Sequence, residues 1–68
     1  MRIKELYSKQ IFDGEGYYID SVSDVIINVD NGRAIIIGFT TPTLESSKKM
    51  IPYKAVKTIG DIIILRDD

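Results

Sequence analysis

Met50-Ile51-Pro52-Tyr53-Lys54-Ala55-Val56-Lys57-Thr58-Ile59-Gly60-Asp61-Ile62-Ile63-Ile64-Leu65 packs three changes of backbone conformation into sixteen residues. An apolar strand ends at Pro52, whose fixed φ and missing N–H suit the last position of a strand or the first turn of a helix. A single helical turn is expected next. Val56 and Ile59 stand three apart and would share its inner face, with Lys54 and Lys57 on the opposite, wetter one. Gly60 ends that turn, and with Asp61 it can reverse the chain, since glycine accepts positive φ without a Cβ penalty. Ile62 to Leu65 then return as a β-branched strand. The order is strand, helical plug, strand.

Upstream, the strongest local signal is Asp30-Asn31-Gly32-Arg33, because Asn-Gly is the preferred centre of a type I′ turn and the strands on either side should pair. Arg33 to Thr41 forms the next strand. Its run Ala34-Ile35-Ile36-Ile37-Gly38-Phe39 is apolar on both faces, so one face fills the core and the other needs cover from the helical turn, the N-terminal segment or a second copy. From Tyr17 to Asn28 neither parity is purely apolar. A strand whose buried face changes sides needs a bulge or sharp bend, expected near Ser23. Gln10 to Asp13 reads as the first strand, and Asp13-Gly14-Glu15-Gly16 as a reversal with positive φ at its two glycines. Arg2 to Lys9 carries Ile3 and Leu6 three apart and fits a short helical turn. Thr41-Pro42-Thr43-Leu44-Glu45-Ser46-Ser47-Lys48-Lys49 is polar and contains proline, and is expected to be a mobile loop.

Isoleucine is the dominant apolar residue, with 13 of the 68 positions, and its stiff χ1 favours pleated surfaces. A chain this short is expected to be one domain, residues 1–68, with a thin core burying only about 60% of the unfolded surface. There is no Cys and no His, so disulfides, thiolate chemistry and imidazole ligands are all excluded, and self-association is the remaining way to add stability. Net charge is −1, which gives no global field to attract nucleic acid or an anionic membrane. Met1-Arg2-Ile3-Lys4 is basic but no apolar segment follows it, so no signal peptide is expected. The longest apolar run is far shorter than the ~20 residues of a spanning helix. A cytoplasmic protein without membrane insertion is the expectation.

The step Ile51-Pro52-Tyr53, the turn Val56-x-x-Ile59-Gly60 and the apolar closing strand resemble the signature of PRC-barrel domains. Asp24-Val25 after the first hairpin and the Asn31-Gly32 turn extend the resemblance along nearly the whole chain. Asp20 departs from it, since relatives commonly carry glycine there. The resemblance implies a mostly β fold: a small antiparallel β-barrel of about five or six strands with one short helical turn. It also implies a functional range. The family covers photosynthetic reaction-centre H subunits, the C-terminal half of the ribosome-maturation factor RimM, and short stand-alone archaeal and bacterial proteins, cell-division adaptors among them. The first two roles belong to chains with a second domain and do not transfer whole.

Catalytic groups are scarce. Serine has no imidazole partner, and a pair of Ser46 or Ser47 with Lys48 or Lys49 would sit on an exposed loop, where lysine stays protonated and cannot act as a base. The acids pair as Asp13 with Glu15, Asp20 with Asp24, and Asp67 with Asp68, but a barrel this small has its interior filled by side chains. Asn28-Val29-Asp30-Asn31-Gly32 begins like a calcium loop, yet its glycine falls one position early and Phe39 stands where the bidentate acid belongs. Gly14-Glu15-Gly16 lacks the third glycine and the helix of a dinucleotide fingerprint, and is a turn. No enzyme activity, cofactor or metal is therefore expected.

The candidate interaction surface comprises Tyr17, Tyr18, Lys48, Lys49, Tyr53, Lys54 and Lys57. Of the adjacent tyrosines one is expected to point inward and the other outward as a contact. The four lysines around Tyr53 could meet RNA phosphates and a stacked base. The expected function is a non-enzymatic protein-interaction or adaptor module, homodimeric through its all-apolar strands. The alternative is an RNA- or ribosome-associated factor using the lysine face.

Overall fold

The computed structural model describes residues 3–67. Among these described residues seven strands follow in chain order: β1 (Gln10–Phe12), β2 (Tyr18–Ser21), β3 (Asp24–Asp30), β4 (Arg33–Thr40), β5 (Ile51–Pro52), β6 (Val56–Ile59) and β7 (Ile63–Leu65). They form a four-stranded sheet in the order β2-β1-β7-β6 and a three-stranded sheet in the order β3-β4-β5. All pairings are antiparallel except β1 with β7, where Ile11 lies opposite Ile63. The mostly β class is as expected. The strand number exceeds five or six because the segment from Tyr17 breaks in two and the stretch beyond Tyr53 supplies an additional strand.

That break falls where the changing apolar parity places it. Val22 and Ser23 form a corner between β2 and β3, at which Ser8 N–H donates to Val22 O at 2.9 Å, Val22 N–H to Lys9 O at 3.0 Å and Ser23 N–H to Thr40 O at 2.8 Å. Both Val22 and Val25 are buried despite their odd spacing, so the corner rotates the chain to keep apolar side chains inside. The core draws on both sheets: Leu6, Ile11, Val22, Val25, Phe39, Val56 and Ile63 are buried together, and Ile3, Ile36, Ile51, Ile59 and Leu65 pack against them. Leu6 comes from a 3-10 turn over Ile3–Leu6, which falls inside the helical turn expected for Arg2 to Lys9, Arg2 itself lying outside the described residues.

The expected helical plug is shorter than one full α-turn. A 3-10 turn covers only Tyr53–Ala55, and Val56–Ile59 continues as strand β6, since three of its four residues are β-branched and β7 offers backbone partners. Val56 and Ile59 nevertheless share a face. The register runs Val56 to Leu65, Thr58 to Ile64 and Ile59 to Ile63, leaving Lys57 as the extra residue of a bulge, and the bulge restores the same side for an odd spacing. Gly60 turns the chain without positive φ, contrary to expectation, and of the Gly14 and Gly16 pair only Gly16 has it, at 94°. The Asn31-Gly32 turn is as expected, with φ of 51° and 76°.

The segment from Thr41 is not a structureless loop. Helix α1 spans Pro42–Ser46, with the buried Thr41 as its N-cap accepting from Leu44 N–H at 3.1 Å and Pro42 in the first turn. Its other end is a Schellman closure: Lys48 N–H donates to Glu45 O and Lys49 N–H to Leu44 O, with Lys48 left-handed at φ 56°. Glycine suits that position better. Lys48→Gly is expected to raise stability by about 0.5–1 kcal/mol, the relief of left-handed strain exceeding the added unfolded-state entropy. A urea midpoint that fails to rise would contradict it.

Candidate docking surface

The two-residue turn at Asn31-Gly32 fixes the pairing of β3 with β4: Asp30 lies opposite Arg33, Val29 opposite Ala34, Asn28 opposite Ile35 and Ile27 opposite Ile36. A bulge follows, with Ile26 opposite Gly38 and Val25 opposite Phe39. Side chains alternate along a strand, so Val25, Ile27 and Val29 share one face with Phe39, Ile36 and Ala34. At the root of this ribbon Val25 and Phe39 are buried. Toward the tip the same face opens to solvent, Ile27 being 42% and Val29 67% exposed. Two-residue β5 covers only Gly38 and Phe39 of its neighbour, and Ile35 and Ile37 are also exposed.

The apolar face continues at the root into a groove of about 560 Å³ lined by Ile36, Tyr53, Val56, Lys57, Thr58, Ile59 and Arg66. Tyr53 joins it because its ring lies 6.3 Å from that of Phe39. Arg66 is held at the rim: its Nε donates to Lys54 O at 3.0 Å and its backbone N–H to Ala55 O at 2.8 Å. The groove thus mixes apolar side chains with Thr58 and the cations Lys57 and Arg66, and a partner surface that is apolar with carboxylates beside it complements both.

The four lysines do not form one patch. Tyr53 and Lys57 border this groove, and Lys54 is exposed beside it. Lys48 and Lys49 instead border a hollow of about 300 Å³ with Ile26, Thr40, Glu45 and Met50. Ile26 lies on the ribbon face opposite Val25, so the two lysine pairs are on opposite sides of the sheet. Both Tyr17 and Tyr18 are exposed, against the expectation that one turns inward. Tyr17 precedes the strand, where alternation does not apply, and its N–H donates to Asp13 Oδ1 at 2.9 Å. Tyr18 packs edge-on against Phe12 with ring centroids 5.7 Å apart.

Three of the acids, Asp13, Asp20 and Asp24, serve their own backbone. Asp13 Oδ1 accepts from Glu15 N–H at 2.9 Å, and the Asp20 and Asp24 carboxylates each accept the next residue's N–H at 2.8 Å. The Ser21 amide holds Asp20 below the usual carboxylate range, with smaller contributions from the Thr43 and Thr41 hydroxyls and the Thr43 amide. Asp20 lines a small cleft with Ile19, Thr41, Thr43, Leu44, Ile51 and Leu65. Of the pair Asp67 and Asp68, the second lies outside the described residues. Among the described residues no three acids converge on a metal position, and no helix is long and apolar enough to cross a membrane.

Ile27, Val29, Ile36 and Arg66 are the surface residues that the motif pattern did not single out. The first three were available by counting outward from the Asn-Gly turn. Arg66 had no local signal, since its place depends on how β6 and β7 pair.

The PRC-barrel domain family model matches residues 1–68. No curated protein matches the sequence.

Proposed function

The chain belongs to the PRC-barrel domain family, a group of small β modules, and from that premise we propose that it is a non-enzymatic, cytoplasmic protein-docking module that acts as a homodimer. One observation carries this: an apolar ribbon face, half-buried at Ile36 and exposed at Ile27 and Val29, that runs into a groove lined by apolar side chains together with Lys57, Thr58 and Arg66. Exposed apolar surface of this continuity marks interaction sites in soluble domains. A thin core gains from association as well, because burying the ribbon adds apolar area that 68 residues alone do not enclose. Tyr17 and Tyr18, on a hairpin of the other sheet, remain for a further protein partner. An RNA-binding role would call for one continuous basic surface, and the lysines divide between opposite faces.

Sedimentation equilibrium tests the proposal. Dimer is expected at micromolar concentration, with Val29→Lys shifting the protein to monomer while leaving its circular dichroism unchanged, since Val29 is outside the core. Wild-type protein that stays monomeric at 100-fold higher concentration would refute the homodimer.

A further inference from the structure

Resting on the homodimer and going beyond it, we infer that two copies join edge to edge through β3. Asn28 of one copy lies opposite Asn28 of the other, and the joined sheet runs β5-β4-β3-β3-β4-β5. A strand at the border of a sheet offers a row of unpaired N–H and C=O groups, and folded proteins shorten, bulge, charge or cover such borders. Among the described residues the two sheets have four borders, at β2, β6, β3 and β5. Three of them are guarded. β5 has two residues and one is Pro52, β6 carries Lys57 at a bulge, and β2 lies against α1. β3 runs for seven residues without lysine or proline, its two acids stand only at its ends, and it pairs on one side alone, with β4.

The two-residue turn fixes which backbone groups are free. Its closing pair, Asp30 with Arg33, exchanges backbone bonds, and so does every second pair after it, starting with Asn28 and Ile35. The N–H and C=O of Ile27 and Val29 therefore point away from β4. An antiparallel copy can bond to them with Ile27, Asn28 or Val29 on the two-fold axis. Ile27 on the axis sets Asp24 against Asp30 at both ends, and directly opposed like charges are destabilising. Val29 on the axis leaves Ile27 opposite the turn residue Asn31. Asn28 on the axis sets Ile27 against Val29 twice, a β-branched pair on the exposed apolar face, and faces two amides that can each donate and accept. Asp24 then falls beyond the end of the partner strand, and Ile26 lies opposite Asp30, which Arg33 already faces in its own ladder. In this register β3 is its own complement, and that selects a second copy as its occupant.

The chain has no cysteine, so single introduced cysteines report the register without background. Residues facing each other at a non-hydrogen-bonded site have Cα atoms about 4.5 Å apart, within the roughly 4.4–6.8 Å that a disulfide spans. Under oxidised glutathione, Asn28→Cys is expected to give a covalent dimer at least about tenfold faster than Glu15→Cys, on the hairpin of the other sheet. Ile27→Cys and Val29→Cys should each crosslink slowly alone and readily when mixed, as a heterodimer identified by mass spectrometry. All four positions are exposed, and circular dichroism of the reduced variants checks that they fold. Should Asn28→Cys not fold, the mixed pair reads the same register.

Fastest self-crosslinking at residue 27 or 29 overturns the register. Crosslinking at residues 27–29 no faster than at residue 15, with wild type sedimenting as a dimer, overturns the edge pairing and leaves the homodimer standing. A wild-type monomer overturns both.

Discussion

Replacing Phe39 by alanine is expected to cost about 3–5 kcal/mol, the range for truncating a buried aromatic when its surroundings relax only in part. Phe39 has no solvent exposure and is the largest fully buried side chain. It stands opposite Val25 on one side and Ile51 on the other, so it ties β3, β4 and β5 into the core. Domains of this length hold only about 3–10 kcal/mol in total. Phe39→Ala should therefore be largely unfolded at 25 °C, or lose most of its urea midpoint. Phe39→Leu, which keeps much of the volume, should remain folded at a cost of about 1–2 kcal/mol. An alanine variant within about 1 kcal/mol of wild type would mean that the core is centred elsewhere.

Gly38→Ala should be nearly as damaging for an opposite reason. A Cβ at residue 38 would lie 2.6 Å from the carbonyl oxygen of Ile51 and 2.7 Å from Sδ of Met50. The methionine can swing aside. The Ile51 carbonyl cannot, because it belongs to β5, which is held against β4 through the pairs Gly38–Pro52 and Phe39–Ile51. Opening that contact is expected to cost about 2–3 kcal/mol, in the range of overpacked cores. Gly60→Ala is the control: nothing lies within 4 Å of its added Cβ and its φ is not positive, so stability should hold or rise by about 0.4–1 kcal/mol. Denaturant unfolding of the two variants side by side separates packing from backbone freedom. Equal effects would show that no close approach exists at residue 38.

Much of the fold was legible because its signals are local. Asn31 and Gly32 reverse the chain whatever surrounds them, since both tolerate positive φ, and the reversal alone sets the pairing from Asp30–Arg33 to Ile27–Ile36. The corner at Val22 and Ser23 was visible as a change of apolar parity. Helix α1 carries its marks in the sequence, a Thr41 cap followed by Pro42, but five residues are too few to display a helical period. The plug differs from its sequence pattern for the converse reason. Three-residue spacing of Val56 and Ile59 fits a helical turn, but a bulge at Lys57 gives the same shared face on a strand.

What the sequence determined by itself is the β class, the tight turn, the buried character of Val56, and the exclusion of thiol and imidazole chemistry. Each depends on residue identity or on neighbours a few positions away. Tertiary structure alone decided that β1 and β7 run parallel at the centre of a sheet, and that Lys57 and Arg66 share a rim while Lys48 and Lys49 face the other way. It also decided that Ile27 and Val29 stand in solvent. Those facts depend on which distant strands meet and on how far β5 reaches along β4. An isoleucine in a strand carries no record of whether a neighbouring strand extends far enough to cover it.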